Sequence, residues 1–459
     1  MKYNNIHMLK SNLIVKDKSF YKSFFSLTTI LALQNLIIFS VNMADSVMLG
    51  RFSEDALSAV ALVNQIQFLL QMLVVGIADG ALVFGSRAWG GKDMDTVRKI
   101  SSISLKSALL ISFVLGIAVF VFPYQILGIL SNESHVVANG VEYIKIICFS
   151  YPMFAITTTL LIALRSVEKA KIGFYVSIFT LFTNITLNYM MIFGKAGFKP
   201  MGIKGAAYAT LISRAAEMIF VIIFIFFYDE TIRLKISDFL YTDFPLLEAF
   251  IKKGLPVFLS NGIWGIAMAA QTAILGHMGQ SAITANSIAT TLFQILSVIS
   301  YGSANASAVI ISKIIGERRT ESIKPYTVTL QLIYILIGII TGFTLFLVKD
   351  VVVGWYVISP QAKYLALGFL TILSVTVIGT SYEMAGLTGI VRGGGDTAFV
   401  LKNDIIFMWL FVIPSSLIAA FYFKASPLIV FMFLKSDQIL KCIVAAIKIN
   451  RYTWIKKLN

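Results

Sequence analysis

The stretch ADSVMLGRFSEDALSAV, residues 44–60, has a partial copy later in the chain, AQTAILGHMGQSAITAN at residues 270–286. With residue 44 aligned to residue 270, the identical pairs here are Ala44/Ala270, Leu49/Leu275, Gly50/Gly276, Ala56/Ala282 and Ala59/Ala285. The alignment continues without a gap through Gly76/Gly302, Ala78/Ala304, Ser86/Ser312 and Gly90/Gly316, and with one residue of slip Arg165 pairs with Arg392. The chain therefore contains an internal repeat, which predicts a fold of two similar halves.

The composition indicates whether the protein folds in water or in a lipid bilayer. Of the 459 residues, 58% are hydrophobic and 13% are charged, whereas soluble domains have about 45–50% apolar and about 25% charged residues. Long apolar runs recur along the chain, each near the ~20 residues that cross a bilayer as a helix. We found no alternating pattern long enough for a β-barrel. The sequence therefore predicts an all-α polytopic membrane protein.

The apolar runs predict twelve transmembrane helices in two six-helix bundles. Their ranges are 21–48, 57–87, 98–122, 138–163, 171–193, 203–227, 249–277, 282–315, 326–348, 362–390, 398–422 and 427–449. Because six helices separate the two copies, both copies enter the membrane from the same side, as expected for a pseudo-twofold axis along the membrane normal. The predicted division is a tail at 1–20, a bundle at 21–227, a linker at 228–248, a bundle at 249–449 and a basic tail at 450–459.

The chain carries a formal net charge of +15, and its distribution argues against nucleic acid as a partner. Most of the 38 lysines and arginines lie at the two termini and in every second loop. Such a bias marks the cytoplasmic side of a membrane protein. We therefore expect a multi-pass protein of the plasma (inner) membrane with both termini in the cytoplasm, and we expect it to be a monomer.

Polar residues form stripes on three of the predicted helices. At about 100° per residue, Gln34, Asn35, Asn42 and Asp45 share one face of the first helix, and Asn64, Gln67, Gln71 and Asp79 share one face of the second. The fifth helix carries Ser177, Thr180, Asn184 and Asn188 at helical spacing. In lipid such stripes face protein or water. They indicate either hydrogen bonds between helices or a hydrated cavity in the first bundle, and for the stripes together we favour the cavity.

Asp45 is the leading candidate for a functional residue, because an Asp at the centre of a membrane helix costs roughly 2.5–3.5 kcal/mol to insert. The alternative interpretation is that Asp45 is an interfacial residue near the outer end of the first helix. Asp79 and Gln71 are weaker candidates in the first bundle, and Asn261, Gln271 and Glu383 are candidates in the second. The pairs Arg214/Glu217 and Asp437/Lys441 are interpreted as structural or interfacial ion pairs, since the two members of each lie about one helical turn apart.

Five stretches resemble the multidrug and toxic compound extrusion (MATE) family over nearly the whole chain, which is thereby identified as a bacterial member. They are ADSVMLGRFSEDALSAV (44–60), GIKGAAYATLISRAAE (202–217), GLPVFLSNGIWG (254–265), GIVRGGGDTAFV (389–400) and SDQILKCIVAAIKINRYTWIKKLN (436–459). The resemblance implies a secondary transporter that exports amphipathic or cationic compounds in exchange for H⁺ or Na⁺ by alternating access, without another cofactor. It also implies that Asp45 binds the coupling ion, with Asn184, Asn188 and Thr210 assisting, so a Na⁺ ion could lie near Asp45, Asn184 and Asn188.

The sequence departs from the family pattern at three places. Asn188 stands where some members have Asp, and no Glu occurs near Asn261 or Trp264 on the seventh helix, where many members have one. The first helix also lacks a Pro, since the chain has none before Pro123. These departures leave both the coupling ion and the bending of the first helix open.

Other functions fit the sequence less well. A lipid-linked oligosaccharide flippase of the same superfamily would need a cationic cleft, whereas the cleft candidates here are acidic or neutral. A membrane sensor or scaffold would not need inward polar stripes. An enzyme is disfavoured because no nucleophile elbow or zinc motif occurs, and the lack of a P-loop favours an ion gradient as the energy source.

Overall fold

The structure is a computed structural model that describes residues 14–130, 134–240, 242–356 and 358–456. Within these ranges it leaves out the side chains of Asn42, Ser46, Gly50, Glu54, Asp55, Leu57, Ser58, Gln280 and Thr320. The predicted site residue Asn42 therefore has its backbone in the described part and its side chain outside it. Parts of the predicted tails, including residues 1–13 and 457–459, also lie outside.

The described part of the chain is helical and contains no strand, as predicted. The α-helices are α1 Lys18–Phe52, α2 Glu54–Gly90, α3 Met94–Val121, α4 Pro123–Leu130, α5 Ser134–Ile147, α6 Ser150–Ser166, α7 Lys171–Phe193, α8 Gly202–Ile223, α9 Phe244–Gly276, α10 Gln280–Leu296, α11 Val298–Gly316, α12 Thr320–Gly354, α13 Pro360–Met384, α14 Thr397–Asp404, α15 Ile413–Leu417, α16 Pro427–Leu434 and α17 Asp437–Asn450. Segments of π-helix follow at Phe224–Tyr228, Ala385–Val391, Ile405–Val412 and Ile418–Tyr422, and Ile236–Phe239 is a short 3₁₀ helix.

Each of the twelve predicted spans coincides with helical structure, but three of them are interrupted. Among the described residues, ten helices are long and apolar enough to cross a membrane, and the pair α5 and α6, bent by 54°, makes an eleventh. The predicted span 427–449 is the pair α16 and α17, which separates at Lys435 and Ser436. The predicted span 282–315 is likewise the pair α10 and α11, which meet at Ser297.

The chain forms two compact units, and helices α1, α2 and α9 each contribute to both. One unit contains residues 1–32, 86–92 and 263–459, and the other contains residues 33–85 and 93–262. Each unit therefore includes the first part of a helix that the sequence assigned to the other bundle. The predicted bundle boundaries at 21–227 and 249–449 stay a prediction.

Repeated glycines explain why these helix segments are exchanged. Gly90 and Gly316 occupy equivalent positions of the repeat, and a Cβ atom at Gly90 would overlap the carbonyl oxygen of Lys313. A Cβ atom at Gly316 would overlap the carbonyl oxygen of Arg87. Arg87 and Lys313 are themselves equivalent in the repeat, so the ends of α2 and α11 contact each other reciprocally. These positions accept only glycine because the two backbones touch.

A second pair of repeated glycines behaves in the same way. In the unit of residues 33–85 and 93–262, a Cβ atom at Gly76 of α2 would lie 2.8 Å from the Cα atom of Phe258 on α9. In the other unit, a Cβ atom at Gly302 of α11 would lie 2.6 Å from the carbonyl oxygen of Thr28 on α1. The second helix of each copy thus packs against the first helix of the other copy.

Ion pairs and hydrogen bonds fasten the linker to the helices that precede it. The Arg98 side chain donates to the carbonyl oxygen of Ile232 at 2.8 Å, and Lys169 pairs with Asp229 at 3.0 Å. Lys99 donates to the Asp243 carboxylate at 2.9 Å. This hydrogen bond lowers the pKa of Asp243, which lies just before α9 and outside the apolar spans. The linker is therefore held against the start of α3 and the end of α6.

We predict that Gly90→Ala and Gly316→Ala each destabilise the protein, because the new methyl group forces the crossing backbones apart. Overpacking of this kind costs about 1–3 kcal/mol. Thermal melting of the purified protein in detergent measures the effect. The control is Gly354→Ala, since a Cβ atom there meets nothing within 4 Å. Equal melting temperatures for the Gly90 and Gly354 variants would contradict the reciprocal contact.

Candidate functional site

The Asp45 carboxylate on α1 contacts the polar stripe of α7. The side-chain amide nitrogen of Asn188 donates to Oδ1 of Asp45 at 2.6 Å and to Oδ1 of Asn184 at 3.0 Å. The amide nitrogen of Asn184 in turn donates to the Thr210 hydroxyl on α8 at 3.5 Å. Four residues that were predicted from separate parts of the sequence therefore form one hydrogen-bonded chain.

Helical spacing and a close contact between two helices bring these four hydrogen-bonded residues together. Asn184 and Asn188 are four residues apart on α7, so they lie on the same face, and both are buried. A Cβ atom at Gly205 of α8 would lie 2.5 Å from the carbonyl oxygen of Met191 on α7. The glycine allows the backbones of α7 and α8 to approach, which places Thr210 within reach of Asn184.

Two further residues belong to the site, although the sequence did not identify them. The Tyr143 hydroxyl on α5 is hydrogen-bonded to Thr210, and Tyr143 also interacts electrostatically with Asp45. The guanidinium of Arg214 on α8 acts electrostatically on Asp45 as well. No pattern in the sequence distinguishes Tyr143, because it is a single tyrosine in an amphipathic helix and belongs to none of the polar stripes.

The predicted ion pair between Arg214 and Glu217 is confirmed. Its Nη1–Oε2 distance is 2.7 Å, and the guanidinium lies 5.3 Å from the centre of the Phe154 ring. Glu217 is buried, whereas the Arg214 side chain is partly exposed. The pair is thus not only structural, since Arg214 also places a positive charge in the field of Asp45.

One buried oxygen in the hydrogen-bonded chain from Asp45 to Thr210 lacks a hydrogen-bond partner among the described residues. It is Oδ1 of Asn188, a residue that is 1% exposed. An unpaired buried acceptor costs about 1–3 kcal/mol, so its persistence needs a reason. Oδ1 of Asn188 and the Asp45 carboxylate are acceptors on neighbouring side chains, which suits a small ligand that donates a hydrogen bond or carries positive charge.

An apolar groove of about 640 Å³ follows α1 and α7 on a different face from the polar chain. Its lining includes Met43, Met48, Tyr189 and Phe193, and two basic residues, Arg51 and Lys195, contribute to it where the two helices end. Asp45 and Asn188 are absent from its lining. Helices α1 and α7 therefore present a polar face to each other and an apolar face to the groove.

The remaining candidates of this unit lie on α2 and α9. Asp79 interacts electrostatically with Arg165 on α6. Asn261 of α9 faces Gly76 of α2, where a Cβ atom would lie 3.5 Å from its amide nitrogen. Gln71 is half-buried on α2. These interactions of Asp79 and Asn261 thus join α2 to its neighbours, whereas Asp45 joins α1 to α7.

In the other unit, Gln271 is held by a lysine. The Lys435 ammonium donates to the side-chain oxygen of Gln271 at 3.0 Å, and the Gln271 amide donates to the sulfur of Met408 at 3.3 Å. Lys435 lies where α16 ends and α17 has not yet begun. Since the last carbonyls of a helix carry partial negative charge, this is a favourable place for a cation.

Glu383 belongs to a buried cluster of charges in the same unit. Lys441 of α17 pairs with Asp404 at 3.0 Å and with Asp437 at 3.4 Å, and it interacts electrostatically with Glu383. Asp404 directly precedes a segment of π-helix, and Glu383 lies two residues before another. One lysine therefore stands among three carboxylates at irregular points of three helices.

Comparison with known proteins places the chain in a family. The family model MatE matches residues 31–190 and 256–418. The chain belongs to the MatE family. Because the match occurs twice, at positions offset by almost the same interval as the repeat, it also confirms that the two halves are related. The family consists of membrane transporters, so this MatE chain is a multi-pass membrane transporter.

Its relatives and structural neighbours cover most of its length. The chain is 24% identical over 396 residues to a probable multidrug resistance protein NorM of Thermotoga maritima, covering 85% of the chain and 84% of the relative. It is 22% identical over 379 residues to a probable multidrug resistance protein YoeA of Bacillus subtilis, covering 81% and 80%. A crystal structure of MATE in the bent conformation superposes with a TM-score of 0.84 at 19% identity, covering 94% of this chain and 96% of that one. This MatE chain therefore has the predicted fold of a polytopic helical transporter.

We predict that Lys441→Met strongly destabilises this MatE chain, because it removes the cation that Asp404 and Asp437 share. Breaking a buried pair by removing one partner costs about 3–5 kcal/mol. Adding Asp404→Asn and Asp437→Asn to this variant should recover much of the loss, and Lys363→Met, at an exposed lysine, is the control. Thermal melting in detergent measures all three. A Lys441→Met protein as stable as the Lys363 variant would show that the cluster does not support the fold.

Proposed function

We propose that this chain exports amphipathic or cationic small molecules across the plasma membrane in exchange for H⁺ or Na⁺, by alternating access. The observation that carries the proposal is the Asp45 carboxylate, which accepts a hydrogen bond from Asn188 at 2.6 Å and lies beside the buried Oδ1 of Asn188, for which the described residues supply no hydrogen-bond partner. Membership of the MatE family and the similarity to two probable multidrug resistance proteins support the cargo class. The chain would act as a monomer with both termini in the cytoplasm.

In this proposal Asp45 binds the coupling ion, and Asn184, Asn188 and Thr210 orient the carboxylate. One elementary charge that moves across about 100 mV gains roughly 2.3 kcal/mol. That energy is available for export only if binding of the ion and binding of the cargo exclude each other. Asn42, Gln71 and Asp79 are proposed as further polar lining of the first half, and Asn261, Gln271 and Glu383 as its counterpart in the second half.

The groove along α1 and α7 is proposed as the place where the apolar body of the cargo binds. Its volume of about 640 Å³ lies within the usual range of ligand sites, about 300–1,000 Å³. Met43 and Met48 contribute flexible, polarisable side chains that adapt to different shapes. Because Asp45 projects from the same helix, α1 can transmit the state of the carboxylate to the groove.

We predict that Asp45→Asn abolishes export while the protein still folds, because the amide retains the shape of the carboxyl group but carries no negative charge and takes up no proton at neutral pH. Efflux of ethidium and of a fluoroquinolone, with and without an imposed pH or sodium gradient, measures this. The control is Asp350→Asn, at an exposed position of α12. Full drug resistance in cells that express the Asp45→Asn protein at normal levels would refute the proposed role.

We also predict that the double variant Arg51→Gln and Lys195→Gln exports a fluoroquinolone less well than ethidium. The fluoroquinolone carries a carboxylate that these basic side chains attract, whereas ethidium has none. The expected loss is severalfold, since an exposed ion pair contributes about 0.2–1 kcal/mol. A double variant at exposed lysines outside the groove lining, Lys199→Gln with Lys363→Gln, is the control. An equal loss for both compounds would place the carboxylate of the cargo elsewhere.

A further inference from the structure

The groove along α1 and α7 changes in polarity from one end to the other. Its apolar part is lined by Met43 and Val47 of α1 and by Tyr189 of α7, whose side chains are exposed. Its two charged residues, Arg51 and Lys195, both lie at the end of the groove where α1 and α7 terminate. The groove therefore has an apolar body and a cationic mouth.

The opposite end of the groove is suited to hydrocarbon. Ser40 is the lining residue farthest from Arg51 along α1, and its hydroxyl already donates to the carbonyl oxygen of Leu36 at 2.9 Å. On α7 the lining begins at the apolar residue Ile185. A ligand that reaches this end therefore needs no hydrogen-bonding group there.

The length of the groove matches one leaflet of a bilayer. Its lining follows α1 from residue 40 to residue 51, a rise of about 16 Å at about 1.5 Å per residue. The hydrocarbon core of a bilayer is about 30 Å thick, so each leaflet contributes about 15 Å. An alkyl chain that enters beside the helix ends can thus extend to the middle of the membrane within the groove.

The charges at the mouth select the sign of a bound head group. Among the described residues that line the groove, none is acidic. Asp45, on the same stretch of α1, accepts a hydrogen bond from Asn188 on the polar face instead. A cationic head group at the mouth would meet two like charges. A carboxylate or phosphate would meet two opposite charges, one of them an arginine that can form paired hydrogen bonds with its oxygens.

The two basic residues stand where such residues are otherwise scarce. Arg51 is in the last turn of α1, and Lys195 lies two residues beyond α7, on the side that the sequence predicts to be the outer one. Lysine and arginine are depleted on that side of membrane proteins. Each of the two can stabilise the end of its own helix, but that role does not require them to meet at one groove.

We propose that the groove binds single-chain amphiphiles with an anionic head group, taken from the surrounding membrane. The alkyl chain lies along Met43, Val47 and Tyr189, and the carboxylate or phosphate lies at Arg51 and Lys195. For its place in transport the inference rests on the proposed function, and it deepens that function by naming a cargo whose charge is opposite to that of cationic compounds. Binding itself requires only the groove.

The test measures binding of spin-labelled laurate to the purified protein in nanodiscs of phosphatidylcholine, at an alkaline pH where the carboxylate is ionised. Electron paramagnetic resonance distinguishes immobilised probe on the protein from mobile probe in the lipid. The wild type should immobilise laurate saturably. It should bind laurate severalfold more tightly than the methyl ester or the trimethylammonium compound of the same labelled chain, because these probes differ in the charge of the head group.

Variants assign this binding to the two ends of the groove. Arg51→Gln combined with Lys195→Gln should bind laurate no more tightly than the ester, because the cationic mouth is gone. Lys199→Gln combined with Lys363→Gln, outside the groove lining, should keep the preference for laurate. Val47→Trp should weaken laurate binding without any change in charge, because this side chain lines the groove and is 46% exposed.

Equal binding of laurate and its ester to the wild type, or tighter binding of the trimethylammonium probe, would overturn the inference. So would a variant at Arg51 and Lys195 that melts like the wild type and keeps the preference for laurate, since the two cations would then serve only their helices. A wild type that passes these binding tests but exports neither ethidium nor a fluoroquinolone from cells would refute the proposed function and leave the inference standing.

Discussion

The contact between the backbones at Gly90 and Gly316 is the constraint on which the arrangement of the helices depends. Each glycine lies where its Cβ atom would overlap a carbonyl oxygen of the other helix, those of Lys313 and Arg87. The end of α2 is thereby fixed within the unit that contains α11. The C-terminal segment closes over the same point, since Arg87 donates to the carbonyl oxygens of Lys456 at 2.6 Å and Gly394 at 2.9 Å.

Much of this fold could be predicted from the sequence, because lipid permits few alternatives. A membrane-spanning segment must satisfy its own backbone, so a long apolar run becomes a helix. The repeated glycines were visible as identities, but their role was not, since an identity does not show which backbone approaches. The interruptions at Ser297 and at Lys435 and Ser436 carry no Gly or Pro, so no helix-breaking residue predicted them.

The site was predictable where helical spacing alone decides. Asn184 and Asn188 share a face of α7 through their spacing, and the structure places them beside Asp45. Tyr143 and the charge of Arg214 reach the same site from α5 and α8, through tertiary packing that no spacing encodes. From the sequence, Arg214 was interpreted only as the partner of Glu217. Neighbours at i and i+3 are apparent in a sequence, whereas contacts between helices that are distant in the sequence are not.

The two halves of the repeat treat the same position in opposite ways. Gln271 stands opposite Asp45 in the alignment, and its side-chain oxygen accepts a hydrogen bond from Lys435. Two carboxylates of that half, at Asp404 and Asp437, are paired with Lys441. These two acids are therefore held by a cation that belongs to the chain, and an exchangeable ion would have to compete with it.

Among the described residues of the first half, Asp45 has no ion-pair partner as close as Lys441 is to Asp404, and the typical energies of its hydrogen bonds predict little net gain in stability. A hydrogen bond to a charged group contributes about 1.5–3 kcal/mol, and an unpaired buried acceptor costs about 1–3 kcal/mol. The hydrogen bond from Asn188 to Asp45 is thus largely offset by the oxygen of the same amide, which has no partner in the described part of the chain. The free-energy cost of placing an Asp inside the membrane, roughly 2.5–3.5 kcal/mol, is then hardly reduced by these hydrogen bonds. A small net contribution to folding is what the proposed role of Asp45 requires, since a small cation that binds and leaves would then complete the site only part of the time.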